Sequence, residues 1–242
     1  MVPQPKKPAR PPRAAPAVNP EDEACETLSQ IGRDLSKRVL KSKDALITAL
    51  QTAQSLLEQA AQSSQSVCRA SRELAAALPQ DDLLHHSDAN VRLAVACCTF
   101  QLLRIYAPES PYSDAEVKRI FRLLSRTLGS LAHPNNPHFE ACLKLVSLVN
   151  EMKAMVLLLD VEADPPPSRA DATLCECLGA ILDAINEDNC AAVSGHLEPL
   201  LELTVSEADV TTGLLDTLLS RLLPPPLGEA SAGAALVRRV LR

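Results

Sequence analysis

Apolar residues recur at intervals of three and four along nearly the whole chain, and no sustained period-two alternation interrupts them. This spacing predicts amphipathic α-helices rather than β-strands. The pattern is densest between Ser87 and Tyr112, where one helix carries two apolar stripes. A helix with two such stripes packs against neighbours on both flanks, which predicts a stack of helices. The two stripes are Val91, Val95, Cys98, Leu102 and Ile105, and Leu93, Ala96, Cys97 and Phe100.

The pattern predicts an all-α chain of about nine to ten helices, bounded by capping residues and prolines. Val39 is expected to close the buried stripe of the first helix, and Leu215 belongs to the predicted stripe of the helix that begins near Asp209. Helices are expected to begin at Pro20 after Asn19, at about Ser42, after Ser87 as the N-cap of the central helix, after Ser113, and at about Asp188 and Asp209. Three further helices are expected over residues 67–78, 81–86 and 138–158. Residues 168–171 are expected to cap another helix, and a last helix runs through Leu236.

The helix pairs are regularly spaced. They begin near positions 89, 138 and 188, so the period is about 50 residues, against ~40–47 for helical hairpins of the HEAT and armadillo kind. Long proline-containing loops account for the excess. The sequence therefore predicts a HEAT/armadillo-type helical-repeat solenoid over residues 19–242. Its last helix lacks a partner in this pattern, so we expect the N-terminal part of a longer solenoid, or a binding partner at that end.

Residues 1–18 differ from the rest of the chain. They are rich in proline and contain Lys6, Lys7, Arg10 and Arg13 but no acidic residue. Such a density of proline prevents helix formation and favours extended, solvated backbone, which predicts a disordered basic tail. We interpret it as a solubilising segment, and the alternative is an address to the nucleus or an organelle.

Composition narrows the function classes. The formal net charge is −6, and because the tail is basic, the remainder is more acidic still, which argues against direct binding of nucleic acid. No apolar run approaches the ~20 residues that a membrane span needs. The eight cysteines lie mostly at apolar helical positions without a CxxC motif, which indicates reduced thiols in the cytosol or nucleus.

Signatures of catalysis and metal binding are absent from the sequence. The motifs GxGxxG, GxxxxGK[ST] and HExxH do not occur, and no serine, histidine and carboxylate form a recognisable triad. His85 and His86 beside Asp81 and Asp82 resemble a ligand cluster, but two consecutive histidines on a helix face different directions. The sequence predicts neither an enzyme nor a metal site, and it requires no cofactor.

The segment after the central helix is the candidate functional site. It comprises Ala107, Pro108, Glu109, Ser110 and Pro111, and the residues before each proline are driven toward extended backbone, so its shape is preset. Beyond it, Ser113 and Glu116 form a capping box, and Tyr112 and Val117 hold the positions of a hydrophobic staple.

A basic stripe follows on the next predicted helix. Lys118, Arg122 and Arg126 recur at intervals of four and are expected to face outward. Such a stripe is most often a solvated face.

The stretch DDLLHHSDANVRLAVACCTFQLLRIYAPESPY resembles the N-terminal HEAT region of the cohesin regulator family named for precocious dissociation of sisters, particularly its plant and algal branch. The similarity continues through SDAEVKRIFRLLSRTLGSL and MKAMVLLLDVEAD, and more weakly through LLDTLLSRLLPPP. It covers nearly all of the predicted folded part, although the first three helices match only in pattern.

The resemblance implies a nuclear, chromatin-associated scaffold without catalysis. Such a protein binds the kleisin subunit of cohesin and engages a Wapl-type release factor and the cohesin acetyltransferase during sister-chromatid cohesion. In the family, an Ala-Pro-acid-Ala-Pro turn receives short peptide motifs. The turn corresponds here to Ala107, Pro108, Glu109 and Pro111, with Ser110 in place of the family's alanine, and Tyr112 and Arg104 complete the expected partner-binding set.

Family members also bind inositol hexakisphosphate. The resemblance makes Lys118, Arg122 and Arg126 conceivable ligands for it, although no family motif assigns them.

Two other interpretations remain open at this point. The candidate segment could be an ordinary loop in which Tyr112 only staples the next helix. The whole chain could instead be an armadillo-type transport or trafficking adaptor that binds basic peptide cargo, or a regulatory subunit of an enzyme.

Overall fold

The computed structural model describes residues 19–162, 172–222 and 232–241. Within these ranges the chain forms helices joined by loops and contains no β-strand, which confirms the predicted all-α class. The α-helices, numbered α1 to α13 in order, are Pro20–Ser36, Lys43–Gln59, Gln65–Ala70, Arg72–Ala77, Asp81–Leu84, Ala89–Tyr106, Asp114–Leu128, Phe139–Glu151, Ala154–Glu162, Ala172–Ala184, Cys190–Glu207, Thr212–Leu222 and Ala232–Val240, with a 3₁₀ turn at Gly129–Ala132.

Several helix starts are fixed by capping residues that the sequence predicts. Asn19 accepts a hydrogen bond from the N–H of Glu21 at 3.3 Å, directly before Pro20 at the first helical position. Ser42 caps α2 by accepting from the N–H of Ala45 at 3.1 Å. Such caps satisfy donors that a helix cannot pair internally, so the chain enters each helix at a defined residue.

The helices stack as a solenoid of two rows. One row consists of α2, α6, α8 and α11, each in contact with the next. In the other row, α1 packs on α4. Further along this row, α7 contacts α10, and α10 contacts α12. The short helix α5 contacts both α6 and α7. Successive hairpins begin at Ala89, Phe139 and Cys190, close to the starts predicted at 89, 138 and 188.

Helix α6 lies at the centre of this stack. Both of its predicted stripes are buried, so neighbours cover it on nearly every side. Phe100 meets Phe121 of α7 edge to face at 5.5 Å between ring centroids, and Cys98 Sγ donates to the carbonyl oxygen of Leu50 in α2 at 3.3 Å. Aliphatic side chains supply most of the remaining core, as the low aromatic content requires.

Some predicted boundaries are wrong. The N-cap of α6 is Asp88 rather than Ser87, because the Asp88 carboxylate accepts from the N–H of Asn90 at 2.8 Å. The first helix ends at Ser36, so Val39 falls in the following loop and is 56% exposed. The helix predicted over 138–158 breaks between α8 and α9, where Lys153 has a φ of 51°. The predicted third helix divides at Ser71.

The C-terminal helices also depart from expectation. Leu215 is 42% exposed, because α12 turns Leu214 and Leu218 inward instead. The last helix does not lack a partner: Leu236 and Val237 of α13 are fully buried, and α13 contacts α10, α11 and α12. The predicted tail at 1–18, the caps at 168–171 and the prolines at 165–167 and 224–226 lie outside the described residues.

Candidate functional site

The predicted turn lies where α6 ends and the chain crosses to α7; we call residues 107–112 the docking turn. Ala107 leaves the helix with φ −50° and ψ 139°, the extended geometry expected before a proline, and the Ala107–Pro108 peptide bond is cis. Pro108 and Glu109 are exposed, whereas Ala107, Ser110 and Pro111 are half-buried. The tip of the turn therefore consists of one proline ring and one carboxylate.

Ser110 braces the turn from within. Its Oγ donates to the carbonyl oxygen of Tyr112 and accepts from the Tyr112 N–H, both at 3.1 Å. The hydroxyl that the resemblance places at the contact surface is thus engaged inside the turn.

Tyr112 is a buried anchor. It is 6% exposed, and Val117 beside it is also buried, as a hydrophobic staple requires. Burial raises the pKa of Tyr112 well above its usual range, and the hydroxyl has no hydrogen-bond partner among the residues described. The side chain expected to face a partner is therefore directed into the core.

The capping box begins α7 immediately after this anchor. The Glu116 carboxylate accepts from the N–H of Ser113 at 2.9 Å and from its Oγ at 2.7 Å. The docking turn is consequently fixed at its downstream end by a buried ring and a closed cap.

Arg104, the other residue of the predicted partner-binding set, makes hydrogen bonds within the protein. Its Nη2 donates to the carbonyl oxygens of Leu57 at 2.8 Å and Ala60 at 3.0 Å, at the end of α2. Its Nε donates to Gln101 Oε1 at 2.7 Å. This geometry is that of a residue that ties α2 to α6 beside the turn.

A groove of about 410 Å³ adjoins the docking turn. Its lining includes Tyr106, Pro111 and Tyr112, and also Arg69 and Arg72 of the α3–α4 segment. The Tyr106 hydroxyl donates to the carbonyl oxygen of Cys68 at 2.5 Å and so links α6 to α3.

Acidic residues lie near two members of the predicted basic stripe. Arg122 Nε lies 3.1 Å from Glu176 Oε2, and Lys118 is close enough to Glu162 to oppose the rise that burial causes in its pKa. Arg126 is exposed. The role of the stripe in binding an inositol phosphate stays a prediction.

Groups with possible metal or redox chemistry do not converge. His86 Nδ1 accepts from the N–H of Asp88 at 3.1 Å, whereas His85 Nδ1 faces Asp81. The described residues contain no cluster of histidines, cysteines and carboxylates that could hold a metal ion. Burial raises the pKa of Cys97, Cys142 and Cys177 to about 12, so these thiols are poor nucleophiles.

In the part of the chain that the structure describes, no helix combines the length and the apolar character needed to span a bilayer.

One residue beside the turn was missed by sequence reasoning. Ser63, in the loop between α2 and α3, donates its Oγ to the carbonyl oxygen of Ala107 at 2.9 Å. The two residues are 44 positions apart, and no local motif signals such a contact.

These features define a class of protein: an α-solenoid of stacked helical hairpins that presents a rigid, proline-containing turn at a hairpin end. The family model of the sister chromatid cohesion protein PDS5 matches residues 44–242. The chain belongs to this family.

Curated relatives agree with this assignment. PDS5 homolog E of Arabidopsis thaliana is 29% identical over 213 residues, covering 86% of this chain and 21% of the relative. Homolog A of Arabidopsis thaliana is 30% identical over 199 residues, covering 81% and 12%. Homolog B of Homo sapiens is 31% identical over 153 residues, covering 62% and 10%. The chain thus spans about a fifth or less of the length of these relatives.

A solved structure shares the fold. It is described as "Structure of the Pds5-Scc1 complex and implications for cohesin function", and it is 24% identical in sequence with a TM-score of 0.67. The match covers 81% of this chain and 29% of that one. This likeness confirms the helical-repeat solenoid.

Proposed function

We propose that this chain is a non-catalytic scaffold that regulates sister-chromatid cohesion by binding cohesin. Membership of the PDS5 family supports the proposal, as does a fold built from repeats whose surfaces suit extended partners. The similar solved structure is a complex of Pds5 with Scc1, so we propose the kleisin subunit as the principal partner. A nuclear, chromatin-associated location follows from that partner, with chromatin contacted through cohesin.

The docking turn is proposed as the site for a short peptide from a Wapl-type release factor, and the cohesin acetyltransferase is proposed as a further partner. The observation that carries this proposal is the exposure of Pro108 and Glu109 on a turn whose flanks are fixed by Ser110 and Tyr112. A turn whose conformation is already fixed loses little conformational entropy on binding. Less of the free energy gained from its contacts with a peptide is therefore offset.

Reversal of the charge at the tip tests the proposal. Glu109 forms no ion pair or side-chain hydrogen bond among the described residues, so Glu109→Lys should leave the helical circular dichroism unchanged. Peptides tiled across the Wapl-type protein of the same organism are titrated by fluorescence anisotropy. We expect one of them to bind the native chain and to lose at least about tenfold in affinity to Glu109→Lys, or about 1.4 kcal/mol.

Glu202→Lys is the matched control. Glu202 is an exposed residue of α11, far along the chain from the turn, and its replacement by lysine changes the charge by the same amount. Native affinity in both variants, or an equal loss in both, would contradict docking at the turn.

A further inference from the structure

The docking turn has few backbone hydrogen-bond donors of its own. Pro108 and Pro111 have no N–H group, and the N–H of Tyr112 is already donated to Ser110 Oγ. The last carbonyl groups of a helix require partners from outside the helix. At the end of α6, part of this requirement is met by a distant loop.

Ser63 in the α2–α3 loop supplies two of the donors. Its backbone N–H donates to the carbonyl oxygen of Ile105 at 2.8 Å, and its Oγ donates to that of Ala107 at 2.9 Å. Ser63 has a φ of 58°, in the left-handed region that residues other than glycine rarely occupy. The loop therefore adopts an uncommon backbone conformation at the residue that meets the turn.

Arg104 ties the beginning of the same loop to α6, through the carbonyl oxygens of Leu57 and Ala60. Ser63 itself is exposed, so side-chain packing does not hold it against the turn. The Ser63 hydroxyl and N–H therefore connect the α2–α3 loop by hydrogen bonds to the backbone that directly precedes Pro108 and Glu109.

We infer that Ser63 is the positioning residue of the docking turn. It fixes the carbonyl group of Ala107 and, through it, the direction in which Pro108 and Glu109 face a peptide. This inference rests on the proposed docking function. A residue at position 63 that accepts but does not donate would repel the Ala107 carbonyl oxygen and displace the turn.

Three substitutions of Ser63 separate its hydrogen bond from its backbone conformation. Ser63→Asn and Ser63→Asp have the same shape and both tolerate positive φ, but only the Asn side chain can donate. Ser63→Gly removes the hydroxyl without straining the backbone. Gln62→Asp is the control for charge, because Gln62 is the exposed neighbour of Ser63 and makes no side-chain hydrogen bond within the described part of the chain.

The first measurement is the affinity for the Wapl-type peptide that binds the native chain. We expect Ser63→Asn and Gln62→Asp to stay within about threefold of native affinity, Ser63→Gly to lose about threefold to tenfold, and Ser63→Asp to lose at least about tenfold. An equal loss in Ser63→Asp and Gln62→Asp overturns the inference, because charge alone would then explain the effect.

The second measurement needs no peptide. Amide hydrogen exchange over residues 105–113 should be faster in Ser63→Asp and Ser63→Gly than in the native chain, with unchanged circular dichroism. This result supports the positioning role even if no Wapl-type peptide binds, so failure of the proposed docking is recognised separately. Identical exchange in the native, Asp and Gly proteins overturns the inference.

Discussion

Gly32 lies where α1 approaches α4, and its substitution tests whether these two helices pack as described. A Cβ atom at this position would be 2.5 Å from the backbone nitrogen of Leu74 and 3.0 Å from the carbonyl carbon of Glu73. The first distance is about 1 Å shorter than an ordinary contact of about 3.5 Å. Both neighbours are backbone atoms that no rotamer change can move, so the helices themselves would have to separate.

The expected magnitude follows from two opposing effects. Overpacking costs about 1–3 kcal/mol, whereas replacement of glycine by alanine inside a helix gains about 0.5–1 kcal/mol. We therefore expect Gly32→Ala to lower the free energy of unfolding by up to about 2.5 kcal/mol. In Gly195→Ala, the matched control in α11, no heavy atom apart from the adjacent residues and the backbone of the same helix lies within 4 Å of the new Cβ, and stability should rise by about 0.5–1 kcal/mol.

Urea unfolding followed by circular dichroism at 222 nm measures the free energy of unfolding of both variants. The values are compared only if the dependence of this free energy on urea concentration is the same as in the native chain. If Gly32→Ala is as stable as Gly195→Ala, the packing of α1 on α4 is refuted.

Two further predictions concern ionisable side chains. Tyr112→Phe removes a buried hydroxyl without a partner in the described structure, so urea unfolding should show a gain of about 1 kcal/mol. Because the pKa of Tyr112 is raised, the native protein should also lose stability above about pH 10, where an unfolded tyrosine ionises, and the variant should lose less. A destabilised variant would contradict this. For Asp88, hydrogen bonds from Lys43 and from the N–H of Asn90 lower the pKa to about 2. That stabilisation is present above the ordinary pKa of about 3.9 and disappears as the pH falls toward 2, so unfolding curves of native protein and Asp88→Asn should converge there; parallel curves would contradict it.

Local chemistry made much of the fold predictable. Asn19, Ser42 and Ser113 each act on groups within three residues, so their roles can be inferred from sequence alone. The error at Asp88 has the same local origin, since Ser87 and Asp88 are both good capping residues and a pattern cannot choose between adjacent positions.

The helix breaks at Ser71 and Lys153 could not be predicted in this way. Neither position carries a proline or glycine, and the apolar spacing continues across both, so the breaks reflect the packing of whole helices. The contact between Ser63 and Ala107 is hidden for a related reason, because its two residues meet only after the hairpins stack.

The sequence predicted the turn after α6 as the candidate site, which stays a prediction, and it predicted the surroundings of the individual residues only in part. Tyr112 fitted both a staple and a docking surface, and its burial favours the staple. Arg104 was expected at the partner surface, whereas its guanidinium binds the end of α2. Pro108 and Glu109 are exposed and stay the proposed partner contacts, whereas Ser110 and Tyr112 support the turn from within.

Co-purification from nuclei of the native organism tests whether the chain binds cohesin. The tagged chain is isolated beside a tag-only control, and the recovered proteins are identified and quantified by mass spectrometry. We expect strong enrichment of the kleisin and the other ring subunits of cohesin. Recovery of basic cargo proteins, with ring subunits no more abundant than in the control, would contradict it and favour a transport adaptor.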